Sequence, residues 1–140
     1  MAYVDTSVLL ALFLNEPKTA DAWSWLDRQA SGATTVSDWT LTEVSSALSV
    51  ERRMNMLDDQ TYSDVLAKVR HFVKNQLAII TLDHADFQRA SALCDAWQLG
   101  LRAGDALHVA IAERRALTVC TLDRIMRDTS VSLGMPVETP

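Results

Sequence analysis

The chain has 140 residues, 49% of them hydrophobic and 22% charged, with 13 basic residues against 18 acidic ones and a net charge of −5. That length and mixture describe one soluble globular domain able to bury its own core without disulfides or a structural metal, and they exclude a disordered tail. The acidic balance excludes nucleic-acid binding by bulk positive charge, although not nucleic acid held through a metal ion.

In chain order, Ala2–Val4 reads as a short opening strand, and Asp5-Thr6-Ser7 breaks it and caps an apolar helix, Val8–Leu14. Pro17 suits the first turn of a second helix that runs to Ala30, with Trp23 and Leu26 on its inner stripe and Trp25 off it. Ala33–Val36 reads as a strand, followed by a helix from Asp38–Thr40 to Arg53 and another from Asp59 to Asn75. Leu77–Leu82 is a third strand. Asp83 opens a fifth helix with Phe87, Ala90, Cys94 and Trp97 as its inner stripe, and Gly100 ends it. Ala106–Ile111 reads as a buried helix ending near Arg115, Leu117–Thr121 as a fourth strand, Asp123 as the start of a short last helix, and Met135–Val137 as an edge strand.

Strands alternating with helices predict an α/β fold: a three-layer α/β/α sandwich around a five-stranded parallel sheet, in one domain over residues 1–140. Cys94 and Cys120 lack CxxC spacing and read as buried thiols of a reducing compartment. The acidic, non-basic N-terminus is unlike a signal peptide, and Val8–Leu14 is too short to span a bilayer. A cytoplasmic protein with no membrane partner is therefore expected.

Ligands of such folds bind at the carboxyl ends of the strands. Four acids fall there: Asp5 after the first strand, Glu43 in the first turns of the helix after the second, Asp105 at the start of the buried helix, and Asp123 after the fourth. Each also fits a local role. Asp5 and Asp123 suit N-caps, Glu43 could close a capping box with Thr40, and Asp105 complements its helix dipole. Together, four carboxylates in one cavity would repel unless some were protonated or a hard cation sat among them. Mg²⁺ or Mn²⁺ favours such ligands, and its usual service is phosphodiester cleavage. Thr6, Ser7 and Thr121 are hydroxyls placed to orient a carboxylate or a water, with helix capping as the alternative for the first two. His108, three residues after Asp105, reads as a partly buried packing histidine, and Asp128 as a solvated residue. Arg102, Arg124 and Arg127 flank these segments as candidate RNA contacts or plain surface charges. Trp25, Met54 and Met56 lie off the core stripes, marking either a contact surface or irregular core packing.

Tyr3-Val4-Asp5-Thr6-Ser7-Val8-Leu9-Leu10, Leu41-Thr42-Glu43-Val44, Leu101 to Ala110 and Thr121-Leu122-Asp123 resemble, in order and spacing, the PIN-domain family, and within it the VapC-type toxins. The resemblance implies a Mg²⁺- or Mn²⁺-dependent endoribonuclease acting as the toxin of a toxin–antitoxin pair. Asp5, Glu43, Asp105 and Asp123 would be its metal-binding acids, metal-activated water its nucleophile, and a homodimer neutralised by a cognate antitoxin its expected assembly. Two other readings of the fold are a catalytically silent binding module and a receiver-like phosphoryl-accepting domain. The latter wants paired acids after the first strand and a late lysine, whereas Asp5 stands alone and no lysine follows Lys74. With the four acids set aside, 14 of the 18 acidic residues face 13 basic ones, so most of the negative surplus is assigned to one cavity.

Overall fold

A computed structural model describes all residues, Met1–Pro140. Five strands, β1 (Ala2–Val4), β2 (Thr34–Ser37), β3 (Ala78–Ile80), β4 (Thr118–Cys120) and β5 (Val137–Glu138), form one sheet in the order β3-β2-β1-β4-β5, with every pairing parallel. β1 has its expected bounds and β2 lies one residue later than expected, while β3, β4 and β5 are shorter than the runs that predict them. Seven helices connect them: α1 (Thr6–Phe13), α2 (Thr19–Asp27), α3 (Asp38–Arg53), α4 (Asp59–Gln76), α5 (His84–Asp95), α6 (Ala103–Arg114) and α7 (Arg124–Ser132). None is long and apolar enough to cross a membrane.

The pleat of β1 divides the core. Ala2 and Val4 face one side with Val36 of β2, against Val8, Leu9, Leu12, Val44, Leu48, Val65 and Val69 of the α1–α4 layer. Tyr3 faces the other with Val119 of β4, against Leu93, Leu107, Ile111 and Met126 of the α5–α7 layer. The chain works outward from β1 to β3, then returns to lay β4 on the far side of β1. Crevices at such reversals lie beyond the strands' carboxyl ends, and here the reversal falls between β1 and β4.

Two stripes differ from their sequence reading. Trp25 is buried, not on the surface, since α2 starts at Thr19 and turns Ala22 and Trp25 inward; its indole N–H donates to Glu138 Oε2 at 2.6 Å. Trp23 instead joins a half-buried aromatic group with Phe13 and Phe72. On α5 the inner stripe is Asp86, Ala90 and Leu93, leaving Phe87 51% and Trp97 79% exposed. The cause is Asp86, which lies fully buried because Arg114 and Arg115 of α6 neutralise it. A one-turn 3-10 helix, Trp97–Leu99, then breaks the period before Gly100 closes it at φ 69°. Met54 and Met56 stand exposed after α3. Cys120 is buried and Cys94 partly so, both as free thiols.

Candidate acidic active site

Asp5 directly follows β1, and its amide donates to Cys120 O at the end of β4. Its side chain is almost fully buried and caps α1 by accepting from the Val8 amide at 3.0 Å. The Ser7 hydroxyl donates at 2.7 and 2.9 Å, and the Thr121 hydroxyl at 2.6 Å. Both hydroxyls are fixed in turn by backbone donors, Leu122 N to Ser7 Oγ and Asp123 N to Thr121 Oγ1. Burial pushes the Asp5 carboxyl up from its ordinary value, opposed by His108, Thr121, the Val8 amide and Ser7. Capping α1 thus leaves Asp5 at the carboxyl end of β1, where the sequence reading places a site residue.

Glu43 does not close a capping box with Thr40. Ser37 caps α3 and forms that box with Thr40, which frees Glu43, one turn on, to face β1. Its Oε2 accepts from Thr6 Oγ1 at 2.7 Å and from His108 Nε2 at 2.6 Å. Burial raises the carboxyl, but the His108 and Thr6 hydrogen bonds and the His108 charge outweigh it and the net direction is down. Oε1 makes no hydrogen bond within the protein and lies over Gly104. His108 is wholly buried, more deeply than its sequence reading, and its Nδ1 pairs with the Tyr3 hydroxyl at 2.7 Å. Tyr3 also meets Ser37 and Thr40. Tyr3 escaped the sequence reading because nothing near it in the chain marks it as polar-facing; the only signal is a Tyr inside a short apolar strand, where a buried hydroxyl demands partners.

Asp105, half-buried, accepts from the Arg102 amide at 3.3 Å across the start of α6. Burial first, then the like charges of Asp123 and Glu43, push its carboxyl up against the Arg102 amide and His108. Asp123 caps α7 through the Met126 amide at 2.7 Å. Asp105, Asp123 and Glu43 therefore share one field beyond the carboxyl ends of the strands, and His108 acts on both that field and Asp5. As the side chains lie, no three acidic, histidine or cysteine groups close into a ready cation cage. The donors are nonetheless all oxygen, Glu43, Asp105 and Asp123 each keep one oxygen that no protein group claims, and His108, on Glu43, is the basic side chain paired within the set. That set fits a hard cation which keeps most of its waters and takes only one or two carboxylates directly. Arg102 and Arg124 stand exposed at the rim, while Arg127 is paired with Asp128.

The small size of Gly104 is a steric requirement. A Cβ there would collide with Glu43 Oε1, which Thr6 and His108 prevent from retreating. Alanine would otherwise favour the helix by roughly 1 kcal/mol. Gly104→Ala is expected to melt within a few degrees of wild type yet push the Glu43 carboxylate off its Thr6 and His108 partners. Parallel thermal melts and the NMR signals of the His108 ring check the split.

A PIN-domain family model matches residues 2–131. The chain belongs to the PIN-domain family. Among solved structures, its fold is similar to FitAcB of Neisseria gonorrhoeae, with a TM-score of 0.77 and 18% identity over 98% of this chain and 96% of that one. It is also similar to VapC20 of Mycobacterium tuberculosis, a sarcin–ricin-loop-cleaving toxin, with a TM-score of 0.74 and 16% identity over 92% and 95% of the two chains. A toxin–antitoxin complex from Klebsiella pneumoniae gives 0.68 and 23% over 100% and 98%. At such identities the likeness shows the fold. No curated protein matches the sequence.

Proposed function

We propose that this PIN-domain protein is a divalent-metal-dependent endoribonuclease, the toxin of a cytoplasmic toxin–antitoxin pair. The observation that carries the reading is the crowding of Glu43, Asp105 and Asp123 beyond the strands' carboxyl ends, with Asp5 ending β1 next to β4 and His108 as the basic side chain among them. Toxin–antitoxin complexes among the structural neighbours support a cognate antitoxin as partner, and a homodimer is the expected assembly.

In this reading Asp5 and Asp105 hold Mg²⁺ or Mn²⁺, Asp123 completes the acidic set, and Glu43 Oε1 orients a water. Bound there, the ion supplies Lewis acidity toward the scissile phosphate and makes a water more acidic. Ser7 and Thr121 fix the Asp5 carboxylate, and Thr6 with His108 fixes Glu43, so that neither must reorganise when RNA arrives. Arg102 and Arg124 offset the charge of the incoming backbone, with Arg127 a weaker contributor because Asp128 already engages it.

The test is cleavage of total RNA with Mg²⁺, with Mn²⁺ or with chelator, followed by mapping of the ends. Fragments with 5′-phosphate and 3′-hydroxyl ends are expected only with metal. Undiminished cutting in chelator, or 2′,3′-cyclic phosphate ends, overturns the proposal.

A further inference from the structure

Ser37, the N-cap of α3, and Thr40 and Glu43, in its first turns, follow one another at helical spacing and share a face. Two buried rings, Tyr3 of β1 and His108 of α6, clasp that face. The Tyr3 hydroxyl meets Ser37 Oγ at 2.8 Å, Thr40 Oγ1 at 3.3 Å and His108 Nδ1 at 2.7 Å. His108 Nε2 then meets Glu43 Oε2 at 2.6 Å. The string leaves α3 at its cap, passes through β1 and α6, and returns to the same helix at the carboxylate.

The members of this string do not depend on Tyr3 equally. The cap closes without it, because the Thr40 amide donates to Ser37 Oγ and the Ser37 amide to Thr40 Oγ1. His108 Nδ1, by contrast, has the Tyr3 hydroxyl as its partner and no other in the protein. Tyr3 otherwise packs in an apolar cluster with Leu93, Ile111, Val119 and Met126, where a phenylalanine would avoid the cost of burying a hydroxyl. The service that the hydroxyl alone performs is therefore toward His108. At the far end of the ring, a carboxylate can only accept, so Nε2 turns a hydrogen to Glu43 Oε2. Thr6 gives the same oxygen a second donor at 2.7 Å.

We infer that Tyr3 is a positioning residue, which acts through His108 to fix the Glu43 carboxylate with Oε1 turned to the acidic site. The inference rests on the ribonuclease reading, in which Oε1 orients a water, and adds the residue that holds this oxygen in place. A ring is a firm arm only when its own orientation is locked by a further hydrogen bond. Without the hydroxyl, Nδ1 is left unpaired in a wholly buried place. The ring regains a partner only by turning or by admitting a water, and either draws Nε2 away from Glu43.

The experiment records the His108 ring by NMR in the intact, metal-free protein with isotope-labelled histidine. Wild type is expected to show an Nε2–H signal far downfield and slow to exchange, as a buried donor to a carboxylate gives. Glu43→Ala identifies this signal by moving it. Tyr3→Phe should move it in the same direction or lose it to exchange, although the substitution lies at the other nitrogen. A Tyr3 that only fills space and satisfies Nδ1 would shift Nδ1 and leave Nε2–H in place, and that result overturns the inference. Should Tyr3→Phe not fold, Ser37→Gly decides. It keeps a residue suited to the cap but removes the nearer hydroxyl bracing Tyr3, and must move Nε2–H the same way for the inference to stand. With RNA and Mg²⁺, Tyr3→Phe should lower kcat roughly 10- to 100-fold and leave KM within about 2-fold, the mark of a misplaced group that acts in the transition state. On a Glu43→Ala background the same substitution should change kcat by less than about 2-fold, because the group it positions is gone. An equal loss on both backgrounds would mean that Tyr3 acts other than through Glu43. If wild type cuts no RNA, the ribonuclease reading fails, while the His108 signals still decide the positioning.

Discussion

Asp5→Asn is expected to lower RNA cleavage by about 10³-fold, the loss of several kcal/mol of transition-state stabilisation, while the protein melts no earlier than wild type. The asparagine keeps the cap, because its carbonyl oxygen can accept from the Val8 amide as the carboxylate does. It can also donate to the Ser7 and Thr121 oxygens that now donate to Asp5. What it lacks is charge. Burial raises the Asp5 carboxyl, so the fold favours the neutral form and holds the anion at a cost at neutral pH. A neutral isostere removes that cost, which is the usual relation between a strained site and stability. Cleavage assays and thermal melts on the same preparations check both halves. Wild-type cutting by the variant would remove Asp5 from the site, and a large fall in melting temperature would make it structural.

The acids were legible because a parallel sheet leaves few places for a ligand, and acids just past the strands stand out there. Asp5 and Asp123 read both as caps and as site residues; the fold makes both of them caps, at the carboxyl ends of neighbouring strands. Of the two readings open to Glu43, the local one fails: Thr40-x-x-Glu43 fits a capping box, yet Ser37, the last residue of β2 and three before Thr40, takes the cap. His108 could be placed on the side of Asp105 by spacing. Its partners could not, since Tyr3 and Glu43 come from the sheet and the opposite layer. The inner face of α5 was displaced by one residue for a related reason. Periodicity assigns apolar residues inward and charged ones outward, and Asp86 reverses this only because α6 brings two arginines across to it. The one sequence sign of that was Arg114-Arg115 ending an otherwise apolar helix.

That buried group carries the second large effect. Asp86 is wholly inaccessible, and its carboxylate receives two hydrogen bonds from Arg115, at 2.7 and 3.0 Å, besides one from Arg114. It also accepts from the Asp83 amide at 2.9 Å, closing the capping box of α5. Burial alone would raise its carboxyl, but Arg115, the Asp83 backbone and Arg114 together hold it down at about 2, from an ordinary 3.8. A depressed carboxyl stabilises the fold fully above its unfolded value and loses that contribution as pH falls through the folded one. Between about pH 4 and pH 2 the protein should therefore lose about 2 kcal/mol from this group. Arg115→Met removes the bidentate partner and leaves a buried charge to Arg114 and the Asp83 amide. Breaking such a pair costs about 3 kcal/mol, which lowers the melting temperature of a chain this size by roughly 10 °C. Arg89→Met is the control. Arg89 also grips a carboxylate, Glu113, with two hydrogen bonds, but both side chains reach water, so its loss should cost under about 1 kcal/mol. Melts of the three proteins from pH 7 to pH 2 separate the cases. Equal costs for Arg115→Met and Arg89→Met would mean that burial of Asp86 does not set the strength of its pairing. An acid transition in Arg115→Met as deep as in wild type would place the depression of Asp86 on other donors.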